Sequence, residues 1–348
     1  MRGFLDVKGL TAFLIGVTLL VIAVGGLIRI NDAGEACPDW PRCFDSWGFD
    51  VSEEEQGDWY ESNPEEYDSR GSGHRYSTFQ IFTEWFHRFL AGVVLGPLVI
   101  ANWWLVKSDK TLGPEAISAS NISVALIIWQ GAIGWLTVKM DNEHWSVALH
   151  LGSALAFLLS MFWLWLVICD HRGERHRWVD FDPDFSFKWR NRIFWLVIGG
   201  FVTLFSGVFV STTPGANFGC GVNGIPKTWP LCQGEIASNI EDAVAQSQVI
   251  HRWLVALMEV LLIFCCYIIW REAEKDGPGI MMRNWIWAAT GIYIVNVAIG
   301  ATYVLSWDID EGYMEWLSLV HLLLASSTFI LLAMTWIGAT RSIGAEEI

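Results

Sequence analysis

Eight apolar segments, each long enough to cross a lipid bilayer, constrain the fold of this 348-residue chain more than any other feature. A membrane-spanning helix needs about 20 predominantly apolar residues. Hydrocarbon tolerates no unpaired backbone polar group, so such segments are helical unless they form a closed barrel. The sequence therefore predicts an all-α integral membrane protein, whose first segment remains as an anchor. The predicted spans are 9–30, 80–106, 115–138, 145–169, 191–211, 247–270, 284–306 and 314–338.

The charged residues divide between the two ends of the predicted helices. Connections 107–114, 171–190 and 271–283 carry ten lysines and arginines, whereas 31–79 is a long acidic segment. Lysine and arginine accumulate on the cytoplasmic side of membrane proteins, so both termini are predicted to be cytoplasmic and the acidic loops exterior, in a cell membrane. Lipid is the expected surrounding, and nucleic acid is not expected as a partner of a chain with a net charge of −15. The assignment includes the basic residues Lys107, Lys110, Arg172, Arg175, Arg177, Lys188, Arg190, Arg271, Lys275 and Arg283, and the exterior acids Glu53, Glu54, Glu55, Glu65, Glu66, Asp68, Asp141, Glu143, Asp308, Asp310 and Glu311.

Short motifs recur in the same order in the two halves of the chain. This recurrence predicts two tandem-repeated four-helix bundles with the same orientation, because four spans separate them. The predicted halves are 1–170 and 191–348, joined by a cytoplasmic linker at 171–190. The matched pairs are 26–34 with 207–215, 39–43 with 228–232, 87–88 with 251–252, 132–134 with 298–300, and 150–151 with 321–322.

Four histidines lie inside predicted spans at nearly the same depth: His87, His150, His251 and His321. An ionisable residue within a span is costly and indicates a functional site. Spans two, four, six and eight run in the same direction, so His87 is expected to face His150, and His251 to face His321. Paired histidines from neighbouring helices are typical haem-iron ligands. The sequence therefore predicts one bis-histidine iron site per half; the alternative is hydrogen bonding between helices.

Charged residues next to these histidines distinguish the two halves. Glu84 lies three residues before His87 on the same helix face, where the second half has Gln248. A desolvated carboxylate can carry a proton, which predicts a reactive centre in the first half and an electron-transfer centre in the second. The alternative is a carboxylate that caps the span. Arg88 and Arg252 follow the predicted ligands, either as partners of haem propionates or as side chains that reach the lipid headgroups.

Four of the seven cysteines form two pairs in the predicted exterior loops, and each pair brackets a Trp-Pro sequence. The exterior is the oxidising side of a membrane, so disulfides are expected at Cys37–Cys43 and Cys220–Cys232. Such a bond is either redox-active or a static clamp over the iron site. Solvated, interfacial or packing roles are expected for His74, His144, His171, His176, Cys169, Cys265 and Cys266.

Over nearly its whole length, the chain resembles the haem A synthase family. The segment Glu84-Trp85-Phe86-His87-Arg88 fits the family's Glu-x-x-His-Arg pattern, and 25–41 resembles its first helix and exterior loop. The chain departs from the family pattern in two places. The exterior loop at 44–79 is unusually long and acidic, and the second cysteine pair is widely spaced.

The resemblance implies an oxidoreductase that converts a ring methyl of haem O to a formyl group, by successive hydroxylation and loss of water. By analogy, the substrate haem O lies between His87 and His150, a b-type haem lies between His251 and His321, and Glu84 donates or accepts a proton. The implied partners are haem O synthase and the cytochrome oxidase assembly machinery, together with an electron donor that the sequence does not identify.

Two other functions agree with the four histidines. A dihaem b-type membrane cytochrome, linked to quinol, would relay electrons without modifying haem, but it leaves Glu84 without a role. A haem transporter or assembly chaperone would release intact haem and form no new product.

Overall fold

A computed structural model describes residues 6–344, apart from 67, 69, 72, 141, 238–241 and 274–276. Within this part of the chain the structure is helical, and its only β pairing consists of isolated bridges. Eight helices of the described residues are long and apolar enough to cross a membrane. These observations confirm the predicted all-α membrane fold with eight spans. Asp141, Lys275 and both chain termini lie outside the described residues.

The chain divides into two compact units, residues 1–171 and 172–348. In the first unit, the second span consists of two α-helices joined by a π-helical segment, Phe89–Leu95, which begins two residues after His87. The helices of this unit are α1 (Val7–Ile30), α2 (Glu53–Ser62), α3 (Thr78–Arg88), α4 (Gly96–Ser108), α5 (Pro114–Lys139) and α6 (His144–His171). Their core includes Leu14, Leu95, Val99, Phe157 and Met161.

The second unit contains four long helices: α7 (Pro183–Thr212), α8 (Ala243–Glu272), α9 (Ile280–Leu305) and α10 (Glu315–Gly344). Helix α7 begins eight residues before the predicted span at 191, inside the segment expected to be a linker. Asp182 accepts a hydrogen bond from Phe185 N at 2.8 Å, and Pro183 occupies the first turn. These N-terminal signals start the helix well before its apolar stretch begins. The core of this unit includes Leu196, Met258, Leu262, Ala289 and Leu332.

The acidic segment predicted as a loop contains a helix, α2, and has a core of its own. Ser52 caps α2 by a reciprocal pair of hydrogen bonds with Glu55, at 3.2 and 2.7 Å. Such a capping box satisfies two of the unpaired amides of a helix start. Trp59 and Tyr60 are buried and pack edge-on against Phe44, with ring centroids 5.6 and 5.9 Å away. The hydrophobic side of α2 therefore anchors it, and its acidic residues stay exposed.

Polar contacts hold the same segment in place. The hydroxyl of Tyr76 donates to the buried carboxylate of Asp68 and accepts from Arg70. Burial and the contact with Asp68 raise the pKa of Tyr76 above its ordinary value, so this hydroxyl keeps its proton and remains a donor. Glu66 forms an ion pair with Lys139, the last residue of α5. The segment therefore covers the end of the unit at which α5 ends.

Candidate functional site

The four histidines within the spans come together as two pairs. In the first unit the imidazole of His87 on α3 and that of His150 on α6 have ring centroids 6.4 Å apart. In the second unit His251 on α8 and His321 on α10 are separated by the same 6.4 Å. The pairing matches the arrangement predicted from depth and helix direction.

Each of the four imidazoles packs against a glycine of a neighbouring helix. The glycines are Gly25 on α1, Gly134 on α5, Gly207 on α7 and Gly300 on α9. A Cβ added to them would lie 3.4, 3.2, 3.2 and 2.7 Å, respectively, from Cε1 of the histidine. A Cβ at Gly300 would collide with the ring of His321, one at Gly134 or Gly207 would press against its histidine, and one at Gly25 would make an ordinary contact. The absence of a side chain therefore matters most at Gly300.

Sequence reasoning assigned no role to these glycines. The motif match paired Gly26 with Gly207, whereas the residue against His87 is its neighbour Gly25. The available signal was a glycine in the C-terminal part of each odd-numbered span. Its meaning depends on which helices are neighbours.

Hydrogen bonds fix the ring orientation of the second pair. Ser206 donates its hydroxyl proton to Thr203 O at 2.6 Å, so its oxygen accepts from Nδ1 of His251 at 2.8 Å. Nδ1 of His321 donates to the carbonyl of Asn296 at 3.0 Å. An imidazole that donates from Nδ1 carries a free lone pair on Nε2, which is the usual arrangement of a metal-binding histidine.

The first pair is held differently. The Nδ1 atoms of His87 and His150 are buried and make no hydrogen bond of standard geometry within the described residues. The carbonyl of Val21, one turn before Gly25, faces the ring of His87. No described residue is hydrogen-bonded to Nε2 of any of the four histidines, which leaves that nitrogen available in both pairs.

The spacing of each pair fits a single metal ion bound from both sides. Two imidazoles that each bind at a metal–nitrogen distance of about 2 Å have ring centroids roughly 6 Å apart, and the observed separation is 6.4 Å in both units. Among the described residues, no three or more His, Cys, Asp or Glu side chains are grouped as a metal site. Two facing histidines from neighbouring helices are an arrangement that can hold haem iron.

Glu84 lies beside the first pair and is almost completely buried, with 4% of its surface exposed. Its Oε1 accepts a hydrogen bond from Arg88 at 2.5 Å, and its Oε2 accepts one from Cys37 N at 2.9 Å. Arg88 also donates to the carbonyls of Cys37, Asp39 and Arg42, at 2.6, 2.5 and 2.9 Å. The carboxylate and the guanidinium thus attach the cysteine loop to α3, next to His87.

Gln248 occupies the equivalent position in the second unit. Its Oε1 accepts from Arg252 at 2.5 Å, and its amide donates to the carbonyl of Ala216. Arg252 donates to the carbonyls of Thr228 and Leu231, at 2.7 and 2.8 Å. Both units therefore hold a loop by an arginine and its neighbour four residues earlier, but only the first unit has a carboxylate there.

Comparison with known proteins identifies the family. The sequence profile of the cytochrome oxidase assembly protein family matches residues 8–333. The chain belongs to the haem A synthase family. Heme A synthase of Shouchella clausii strain KSM-K16 is 24% identical over 327 residues, which cover 93% of both chains. Heme A synthase of Rhodospirillum centenum strain ATCC 51521 / SW is 26% identical over 84% of this chain and 78% of that protein.

A third relative matches one part of the chain more strongly. Heme A synthase of Shewanella oneidensis strain ATCC 700550 is 34% identical over 149 residues, or 42% of each chain. The relatives that cover most of this chain also align over most of their own length. The similarity to haem A synthases therefore extends across both units.

This member of the haem A synthase family has both predicted disulfides, Cys37–Cys43 and Cys220–Cys232, with Cα atoms 4.4 Å apart in each. The wide spacing of the second pair does not prevent its closure. Each disulfide lies in the loop held by the arginine of its unit, because Arg88 binds carbonyls at 37–42 and Arg252 binds carbonyls at 228–231. The disulfide and the arginine thus constrain the same segment.

The remaining histidines of this haem A synthase family member have other contacts. His74 packs edge-on against Tyr76, and His176 stacks on Trp178. His171 accepts a hydrogen bond from Gly113 N at 3.1 Å, and His144 lies 4.0 Å from Glu143. Among the remaining cysteines, Cys169 is buried and Cys266 donates to Thr290 Oγ1 at 3.1 Å, while Cys265 is half-buried.

Proposed function

We propose that this protein is a haem A synthase that oxidises haem O to haem A. A ring methyl group becomes a formyl group by two successive hydroxylations and loss of water. The observation that carries the proposal is the facing pair His87 and His150, with the buried carboxylate of Glu84 one turn away, in a chain of the haem A synthase family.

The proposal assigns haem O, as substrate, to His87 and His150, and a b-type haem that transfers electrons to His251 and His321. The first unit has Glu84 where the second has Gln248, and this difference supports assigning the reaction to the first unit and electron transfer to the second. Bound between the imidazoles, haem supplies the redox chemistry of its iron. The protein supplies binding, orientation and proton transfer.

The residues of the first unit have separate tasks in this mechanism. His87 and His150 bind and orient the substrate, and Gly25 and Gly134 allow their rings to lie close to the neighbouring helices. Glu84 accepts hydrogen bonds from Cys37 N and Arg88, so its carboxylate is fixed beside the site. There it takes up or delivers the protons that methyl oxidation requires.

Arg88 and Arg252 act in this proposal by holding the cysteine loops, since their terminal nitrogens donate to loop carbonyls and to Glu84 or Gln248. The pairing with haem propionates suggested by the sequence stays a prediction. Cys37 of the loop held by Arg88 contacts Glu84, which is almost completely buried, so this loop limits access of water to the carboxylate.

We further propose that the two units are tandem repeats in a cell membrane, with both chain termini in the cytoplasm. The cysteine loops and the acidic segment then lie on the exterior side. The distribution of lysine and arginine supports this orientation, and so do the disulfides, which persist in an oxidising compartment. The family's role in cytochrome oxidase assembly supports haem O synthase and oxidase assembly factors as partners.

The test is extraction and chromatography of haems from cells that express the full chain together with a haem O synthase. Haem A, with or without its hydroxylated precursor, is expected with the wild-type chain and not with His150→Ala. Haem B and unchanged haem O, recovered from folded and haem-loaded wild-type protein, would contradict the proposal. That outcome would favour the dihaem cytochrome, which forms no new product.

A further inference from the structure

A carboxylate lies deep within a span of the second unit, where the proposed function gives it no role. Glu259 is eight residues beyond His251 on α8, about 12 Å further along the helix axis at 1.5 Å per residue. No described residue forms an ion pair or hydrogen bond with it. Eight residues beyond His87, the first unit has the buried Leu95. An unpaired ionisable residue within a span marks a functional site by default.

A buried tyrosine of the neighbouring helix contacts α8 one turn before Glu259. Tyr293 on α9 is 5% exposed. The Tyr293 hydroxyl donates to the carbonyl of Val255 at 3.0 Å, and Val255 is one turn before Glu259 on α8. Because the Tyr293 hydroxyl donates its proton to Val255 O, it cannot also donate to the carboxylate of Glu259.

A second polar group without a partner lies one turn further along α9. Asn296 is 5% exposed, and its Oδ1 is buried without a hydrogen bond among the described residues. Its main-chain carbonyl accepts from Nδ1 of His321 at 3.0 Å. Buried polar groups without partners are rare and require an explanation. Polar groups thus extend from Glu259 along α9 to a histidine of the second pair.

The position of Glu259 is open to the apolar surface of α8. Glu259 is half-buried, and its neighbours Leu257 and Val260 are 57% and 64% exposed. A ligand would therefore arrive from the lipid phase. A phospholipid headgroup stays at the membrane surface, and a fatty acid would place a second carboxylate beside the first. A hydrophobic molecule with a hydroxyl group fits the surroundings, because it dissolves in lipid and donates a hydrogen bond to a carboxylate.

We propose that α8 and α9 form a binding site for a lipid-soluble hydroquinone, one hydroxyl of which donates to Glu259. The site rests on the proposed function in that it takes haem at His251 and His321 as the electron acceptor. Oxidation of a hydroquinone to a quinone releases two electrons and two protons. Glu259 would accept the two protons one after the other, releasing the first before it takes the second, and His251 and His321 would hold the haem that accepts the electrons singly. A hydroquinone bound at this site would be the electron donor that the sequence leaves unidentified.

Binding is tested first, by photolabelling the purified, haem-loaded full chain with an azido derivative of a short-chain ubiquinone. Label is expected in peptides from α8 and α9 and should be displaced by excess decylubiquinone. Glu259→Leu introduces the side chain that the first unit has at this position, and it should lower the labelling about tenfold, the loss expected for one hydrogen bond to a charged group. Glu311→Gln, at an exposed carboxylate of the same unit, is the matched control. Equal labelling of wild type and Glu259→Leu would overturn the proposal.

Electron entry is tested by anaerobic mixing with decylubiquinol and, in a second series, with menadiol, while haem reduction is followed optically. Glu259→Gln retains the shape but cannot take up a proton, so it should slow reduction by about tenfold or more. Dithionite should reduce all variants equally. Wild-type rates in Glu259→Gln, or no reduction of wild-type protein by either hydroquinone, would overturn the site. Failure to form haem A, with Glu259-dependent reduction intact, would overturn the proposed function alone.

Discussion

Arg88 donates to Oε1 of Glu84 at 2.5 Å, and Arg252 makes the same contact with Oε1 of Gln248 at 2.5 Å. In both units the acceptor lies four residues before the arginine and three before a paired histidine. Glutamate and glutamine have almost the same shape, but only the acid can bind and release a proton. The loop-holding contact is therefore common to both units, and only the first unit has an acid in it.

Glu84→Gln should abolish haem A formation and leave haem binding intact, because the second unit already uses glutamine in this contact. The amide nitrogen will face either Cys37 N–H or Arg88, so we expect a loss of stability of about 1–3 kcal/mol. Haem extraction and thermal unfolding measure the two effects. Glu115→Gln, at the other end of the same unit, should change neither. Wild-type product formation in Glu84→Gln would disprove the proton-transfer role.

Arg88→Lys should loosen the first cysteine loop, because lysine keeps the charge but lacks the planar set of donors that reaches three carbonyls. We expect a loss of about 1–3 kcal/mol in stability and faster reduction of Cys37–Cys43 by dithiothreitol. Arg252→Lys serves as the crossed control and should sensitise only Cys220–Cys232. Thiol labelling with mass spectrometry distinguishes the two disulfides. If each variant exposes both disulfides equally, the arginines act through global stability and not through their own loops.

The sequence allowed the spans and the histidine pairs to be predicted because both depend on one-dimensional patterns. Span length follows from membrane thickness, and facing positions follow from depth along helices of known direction. Arg88 shows where this reasoning stops. Its four acceptors are Glu84 and three loop carbonyls, and no pattern in the sequence specifies the path of a loop backbone.

Helix α2 and the early start of α7 were missed for a different reason. Both contain clear start signals, the capping box of Ser52 and the cap of Asp182 followed by Pro183. The predicted spans follow the long apolar stretches of the sequence. A helix or helix end that lies outside those stretches is therefore not predicted from them. Glu259 was missed although its sequence signal, an acid within a span, is as strong as that of the histidines.

His251→Ala or His321→Ala should remove the b-type haem proposed for the second unit, because each variant leaves only one imidazole to hold it. The pair His87 and His150 belongs to the other unit and keeps its own packing, so those rings should still bind a haem. The haem content and the optical spectrum of purified protein measure the loss, and circular dichroism reports whether the helices remain folded. A normal b-type spectrum in either variant would show that the assignment of the two units is wrong.

The glycines that contact the imidazoles allow a graded test of site geometry. A Cβ at Gly300 would lie 2.7 Å from Cε1 of His321, and one at Gly25 would lie 3.4 Å from Cε1 of His87. Gly300→Ala should therefore displace its ring and lower b-type haem content, whereas Gly25→Ala should be tolerated. Alanine favours helix over glycine by about 1 kcal/mol, so haem loss could not be attributed to a weaker helix. Gly291→Ala, on the same helix with open space around it, is the matched control. Equal haem content in Gly300→Ala and Gly291→Ala would mean that the ring of His321 has room to move without losing its ligand function.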